Sequence, residues 1–287
     1  MYQDFHGLSS PPFSTTPDTR FFLELNNARV LFKELLATLN GPDGFMLVRG
    51  KPGMGKTILC RKLLNALYCH RSCYRVIHLA HPRLTERNFL SAIALELVLD
   101  ETTLDTLEDG VVAELQRSAD KGLINALIID EAQTMPDETL VGLRRLADHR
   151  TPSGNLLRVV LFAQPTQQKH LRESRSRILA DCITMERSLG PLRDADTSTS
   201  INLRLTRAGY QGTGLFTLRA IQLIAGASRG IPRLINLLAH KSLLQATQEG
   251  ARKENKDHMR LVIARTEAAE KYERHPAKDW IERISGR

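Results

Sequence analysis

Aromatic residues make up only 5% of the 287 residues, with a single tryptophan, and no apolar run approaches 18 residues. The first scarcity argues against a base-stacking platform, which interleaves aromatic and basic side chains. The second leaves no candidate for a membrane-spanning helix. The opening "MYQDFHGLSSPPF" has neither the basic n-region nor the apolar h-region of a secretory signal. An intracellular chain is expected. Cysteine is sparse, with Cys60, Cys69, Cys73 and Cys182 alone, and reduced thiols are the default in that setting. "CHRSC" with His70 could supply half of a metal site. No second Cys/His pair follows at a zinc-like spacing, so zinc is not expected.

Positive charge is what the chain has in excess, at net +8. This permits contact with nucleic acid or an anionic membrane surface without favouring either. The excess is spread out: Ala251 to Arg287 holds 10 Lys and Arg against 7 Asp and Glu, only +3 of the total. A solvated basic surface is the plain reading.

Hydrophobic periodicity divides the chain in two. "LELNNARVLFKELLATLN" is helical and ends at the breaker "GPDG". "GFMLVRG", "YRVIHLA", "INALIIDEAQ", "LLRVVLFAQP" and "DCITMERS" read as strands. Between them "GKTILCRKLLNALY", "TERNFLSAIALELVLD", "LEDGVVAELQRSAD" and "PDETLVGLRRLADHR" read as helices. Thr85 suits an N-cap with Asn88 at N3, and Pro136 with two acids suits a helix start. Alternating strands and helices imply a parallel sheet flanked by helices. The alternation stops near residue 192. Beyond it only helical patterns follow: "DTSTSINLRLTRAG", "LFTLRAIQLIAGAS", "IPRLINLLAHKSLLQAT" and "KDHMRLVIARTEAAEKY". The expected organisation is an N-terminal segment and helix over 1–40, an α/β core over 41–192, a small all-helical domain over 193–272 and a tail over 273–287.

"GKPGMGKT", Gly50 to Thr57, fits G-x-x-x-x-G-K-[ST] between an expected strand and an expected helix, the context a phosphate-binding loop requires. Glycines let backbone N–H groups turn toward phosphate oxygens, and the helix N-terminus adds its dipole. The loop Gly50, Lys51, Pro52, Gly53, Met54, Gly55, Lys56 and Thr57 is therefore the candidate ATP cradle. Lys56 reaches the β- and γ-phosphates and Thr57 ligates Mg²⁺ in such loops. "LIIDEAQ", Leu127 to Gln133, supplies the second half. Asp130, at the carboxyl end of a buried strand, suits the Mg²⁺ water shell. Glu131 can orient and deprotonate an attacking water, and it is this residue that argues for hydrolysis rather than binding alone. A strand candidate, "YRVIHLA", lies between the two motifs. With the glutamate, it indicates the ATPase branch of phosphate-loop proteins.

Three further positions follow from the pattern. Gln164 ends "VVLFAQ", where its side chain either reaches between the γ-phosphate and the lytic water or caps a turn. "LRESRSRI" holds Arg172, Arg175 and Arg177, either a solvated basic face or an arginine finger for a neighbouring subunit's nucleotide. Arg233, in "SRGIPRLIN", follows Pro232 at a helix start. A cation there is mildly disfavoured by the dipole, an opposition that a charge-assisted bond to a phosphate would offset.

Taken in order, the phosphate loop, "IIDEAQ", "FAQP", "LRESRSRI" and "GIPRLIN", with the lead-in "FHGLSSPPFSTTPDTRFF", resemble the AAA+ ATPases of the ExeA/GspA type. The resemblance covers about residues 1–270. It implies an α/β P-loop (AAA+/ASCE) sheet followed by a helical lid. Gly50, Gly53, Gly55, Lys56 and Thr57 would be the Walker A loop, Asp130 and Glu131 Walker B, Gln164 sensor 1, Arg233 sensor 2 and Arg177 the finger, with Arg172 in reserve. It further implies ATP and Mg²⁺ as cofactors and a homo-oligomer, ring or filament. The work would be the support of type IV pilus or type II secretion components from the cytoplasmic side of the inner membrane. Lys51 and Met54 stand where acidic and threonine residues are more usual in that family. A competing reading, from proteins sharing the same core, is a DNA-binding transposition ATPase of the TniB/TnsC kind.

Overall fold

The computed structural model describes residues 2–14, 16, 18–22, 26–99, 107–152, 154–165 and 178–266. The chain forms two compact units. One comprises Glu24–Pro52 and Lys56–Leu189; the other comprises Met1–Leu23, Gly53–Gly55 and Gly190–Arg287.

The first unit is built on a five-stranded parallel sheet. Its strands are β1 (Phe45–Arg49), β2 (Tyr74–Leu79), β3 (Ile124–Ile129), β6 (Leu157–Ala163) and β7 (Met185–Ser188), in the spatial order β2-β3-β6-β1-β7. A two-stranded hairpin, β4 (Arg150–Thr151) with β5 (Gly154–Asn155), precedes β6. Register runs straight through the centre, with Ile128 opposite Val160 and Val160 opposite Met46. Both faces of these central strands are buried, which is why they read as near-continuous apolar runs, interrupted at Asn125 and Arg158, rather than alternating ones.

Odd-numbered positions, among them Phe45, Leu47, Leu127, Ile129, Val159 and Leu161, join one core cluster with residues of α4 (Glu86–Glu96), α5 (Leu107–Asp120) and α6 (Asp137–Asp148). Even-numbered positions such as Met46, Val48, Ile128, Val160 and Phe162 are equally buried outside that cluster. The helices α2 (Asn26–Leu39) and α3 (Lys56–Cys69), which touch each other and β6, belong to the same unit.

Local signals set the helix ends. The Thr85 hydroxyl accepts the N–H of Asn88 at the start of α4, the capping interaction its sequence position suggests. α4 stops at Glu96, three residues short of the last apolar position of its pattern, Leu99, because Leu97 caps it and Val98 turns left-handed at φ 59°. Of "DCITMERS" only Met185–Ser188 is strand.

The strand "YRVIHLA" lies between the two nucleotide motifs in sequence but not in space. β2 sits at the edge of the sheet, and β6 is the strand inserted between the phosphate-loop strand β1 and the acid-bearing strand β3. Parallel neighbours need crossovers, so chain order does not give spatial order.

The second unit is helical: α7 (Asp194–Arg207), α8 (Leu218–Ser228), α9 (Pro232–Gln248) and α10 (Lys256–Ala264), packed around Ile201, Leu205, Ile224, Ile235, Leu238 and Met259. α8 closes with Arg229 left-handed at φ 50°, and Pro232 takes the N1 position of α9.

The N-terminal segment belongs to this unit. Phe13 packs edge-on against Phe216 with ring centroids 5.9 Å apart. Ser9 N–H donates to Ala208 O at 2.7 Å. Arg204 Nη1 donates to Pro12 O at 3.0 Å, and Arg207 Nη1 donates to Arg20 O at 2.7 Å. Burial pulls the Arg204 guanidinium down to about 10, with the neighbouring charge of Arg207 acting in the same direction. No described helix is long and apolar enough to cross a membrane.

Candidate functional site

Three strands of the α/β unit end at one edge of the sheet, each carrying a piece of the site. β1 runs into the loop Gly50–Thr57, β3 into Asp130 and Glu131, and β6 into Gln164. Ligands of open parallel sheets lie outside these carboxyl ends, where strand order switches direction. The backbone ties the ends together: Gly50 N–H donates to Ala163 O at 3.1 Å and Asp130 N–H to Leu79 O at 3.0 Å.

The loop itself turns through Gly53 at φ 80° and Gly55 at φ 94°, a region that L side chains avoid. A Cβ on Gly53 would stand 2.9 Å from Arg233 Cβ and 3.1 Å from Ile231 Cγ2. Both residues belong, with Gly53–Gly55, to the helical unit, where Arg233 N–H also donates to Gly53 O at 3.2 Å. The Arg233 side chain is exposed.

Lys56 opens α3 and is only 5% exposed. Its ammonium donates to Gly50 O at 2.8 Å and Lys51 O at 3.3 Å. Burial pushes its pKa down, and the carboxylates of Glu131 and Asp130 oppose that shift. Thr57 follows on the first turn, half-buried. A buried cation, two left-handed glycines and a helix N-terminus together fit a phosphate chain. Asp130 (6% exposed) with the Thr57 hydroxyl fits a hard divalent cation such as Mg²⁺, which prefers oxygen ligands.

Glu131 has φ 52° and ψ 36°, a left-handed conformation that costs a non-glycine residue on the order of 1–3 kcal/mol and persists only where its surroundings over-determine it. The surroundings do so here. Its N–H donates to Asp130 Oδ1 at 2.9 Å, and its carbonyl accepts both the N–H and the hydroxyl of Thr134 at 2.9 Å. Its carboxylate Oε2 accepts from Gln164 Nε2 at 2.8 Å and from Gln133 Nε2. Gln133 Oε1 in turn accepts the Gln164 N–H at 2.8 Å. The site thus contains a closed Glu131–Gln133–Gln164 network at the ends of β3 and β6.

Of the two alternatives at Gln164, the side chain contacts the Glu131 carboxylate, while its backbone N–H is satisfied by Gln133. Gln133 stands in the quoted motif "LIIDEAQ", but sequence reading attached no role to it. Its one signal was a polar residue two positions past the acid, on a turn. Arg172, Arg175 and Arg177 lie within 166–177, outside the described residues. Cys60, on α3, is buried, and burial pushes its thiol well above the usual range, so it packs and does not react.

Residues 39–171 match the family model described as AAA domain. The chain is 35% identical over 256 residues to General secretion pathway protein A of Aeromonas hydrophila, an alignment covering 88% of this chain and 46% of that protein. It therefore spans about half the length of that relative.

Among solved structures, Cdc6p from Pyrobaculum aerophilum is similar with a TM-score of 0.64 at 18% identity, over 88% of this chain and 70% of that one. The RuvB Holliday junction branch migration motor of Thermotoga maritima is similar with a TM-score of 0.56 at 18% identity, over 83% and 68%. At such identities the likeness shows the fold alone. That fold is a five-stranded parallel sheet flanked by helices, with a helical C-terminal region.

Proposed function

We propose that this chain is an AAA+ ATPase of the ExeA/GspA type that binds ATP with Mg²⁺, hydrolyses it, and couples turnover to the assembly of inner-membrane machinery. The machinery would be a type II secretion system or an MSHA-like type IV pilus, the latter as for the MSHA pilus biogenesis protein MshM. The single observation that carries the enzymatic half is the Glu131 carboxylate. It is held by two side-chain amides at the sheet edge where the phosphate loop also ends. The likeness to General secretion pathway protein A supports the secretion half.

In this reading the backbone N–H groups of Gly53 to Thr57 and the Lys56 ammonium hold the phosphates. Lys56 exchanges its bonds to Gly50 O and Lys51 O for bonds to phosphate oxygens. Thr57 and Asp130 would hold Mg²⁺, which neutralises phosphate charge. Glu131 receives the proton of the attacking water, and Gln164 helps fix where that carboxylate points. Arg233 is assigned to the terminal phosphate, supported by its place beside Gly53 within the helical unit. Arg177 is assigned as a finger for a neighbouring copy in a homo-oligomer. The chain would work at the cytoplasmic face of the inner membrane.

The test is ATP turnover by the purified chain with Mg²⁺. Glu131→Gln preserves size and cannot take a proton, so binding should persist while turnover falls by about 10²–10⁴-fold. Near-normal turnover in Glu131→Gln would move the base elsewhere. A DNA-binding titration against salt accompanies it. A steep log–log slope, the signature of phosphate neutralisation, would favour the transposition type of ATPase over the secretion type.

A further inference from the structure

We propose that Gln133 is a positioning residue for the Glu131 carboxylate, acting as a bridge that links the end of β3 to the end of β6; this rests on the ATPase reading of the same site. The bridge has two bonds. Gln133 Oε1 accepts the backbone N–H of Gln164 at 2.8 Å, and Gln133 Nε2 donates to Glu131 Oε2. The first bond fixes the orientation of the second. A backbone N–H can only donate, so the atom of Gln133 facing it is the carbonyl oxygen, and the NH₂ faces the carboxylate. The 3-10 turn Ala132–Thr134, closed by the Thr134 N–H on Glu131 O, folds Gln133 back toward the acid two residues before it.

Gln164 Nε2 donates to the same Oε2 at 2.8 Å. Two N–H donors therefore converge on one carboxylate oxygen, which makes Oε1 the oxygen that receives a proton. The left-handed backbone of Glu131 aims the side chain, and the two amides stop it from rotating. Gln164 reaches the acid through its side chain, whereas Gln133 joins the acid to the backbone N–H at the end of β6, so it helps set the distance between them.

The experiment uses the full chain with Gln133→Ala, Gln133→Glu and Glu131→Gln, alone and combined. In Gln133→Ala, kcat should fall roughly ten- to a hundredfold, the equivalent of one hydrogen bond to a charged group, with KM for ATP within about threefold of wild type. Gln133→Glu keeps the acceptor for Gln164 and puts a like charge against Glu131, so it should lose at least as much. In a Glu131→Gln background Gln133→Ala should cost no more than about twofold, because the residue acts through the acid. Amide hydrogen exchange at Gln164 should quicken about fivefold in Gln133→Ala and stay near wild type in Gln133→Glu.

A kcat within twofold of wild type in Gln133→Ala overturns the proposal, as does a full further loss in the Glu131→Gln background. If the wild-type chain itself does not hydrolyse ATP, the ATPase reading fails. Unchanged Gln164 exchange in Gln133→Ala then separately overturns the bridge.

Discussion

Replacing Lys56 with alanine tests the phosphate loop at its most buried charge. Lys56 is 5% exposed, and its ammonium donates to Gly50 O at 2.8 Å and Lys51 O at 3.3 Å. Two effects on the ligand-free protein oppose each other. Truncation removes a charge that burial disfavours, the cause of its lowered pKa. It also strands two carbonyls, each worth on the order of 1 kcal/mol. Unfolding free energy should therefore change by no more than about 1 kcal/mol, and the variant should fold.

Binding does not share this cancellation. With phosphate present, Lys56 trades neutral carbonyl acceptors for anionic oxygens, and charge-assisted bonds are roughly twice as strong. Losing one costs about 1.5–3 kcal/mol, or roughly ten- to a hundredfold in Kd. Calorimetric titration of Mg-ATP into both proteins measures this, with thermal unfolding as the control. A Kd within about threefold of wild type in a folded Lys56→Ala protein would refute the loop assignment.

Two further outcomes are expected. Glu254 is fully buried in the helical unit, and burial pushes its carboxyl up from 4.5 to about 8, against a smaller opposing effect of Ser242. The folded state thus keeps the proton to higher pH than the unfolded chain. The stability this gives is fully present below about pH 4.5 and lost as pH rises through about 8. Glu254→Gln, which cannot ionise, should flatten the fall in Tm between about pH 5 and pH 9, and an equal fall in both proteins would reject the assignment. Arg177→Ala should keep ATP binding and lose hydrolysis by about 10³-fold if it is a finger. Mixing it with Glu131→Gln protein should restore part of the rate, and no recovery from co-assembled mutants would rule out action in trans.

The elements were legible where one physical signal dominated. Ala126–Ile129 and Val159–Ala163 are apolar throughout because both sheet faces are covered, and the α/β pattern follows from them. The Thr85 cap and the Pro232 helix start were legible for the same kind of reason, since a single side chain decides each. The end of α4 was not. Its apolar spacing continues through Leu97 and Leu99, while the backbone leaves the helix at Val98 with φ 59°, a β-branched residue that local preference would keep out of that region. The position of residues 2–14 and 18–22 was also not legible. Their contacts are with Ala208, Arg204, Arg207 and Phe216, some two hundred positions away, and the first three run through backbone carbonyls that leave no pattern in the sequence.

The candidate site divides along the same line. Gly50 to Thr57 is one contiguous stretch, so its spacing alone matches the phosphate-loop pattern. Glu131 and Gln164 are 33 residues apart, and their contact exists because β6, not β2, lies between β3 and the strand β1. No periodicity encodes that choice. It follows from which strand buries both faces beside β1 and β3, a property of the assembled sheet. The role open to Gln133 depends on this pairing in turn. Only with the end of β6 beside the end of β3 does a glutamine two residues past the acid have a backbone N–H to accept and a carboxylate to hold at once. Had β2 been the inserted strand, Leu79 rather than Ala163 would precede the residue facing Glu131. The segment after it, "AHPR", offers no amide side chain to complete the network.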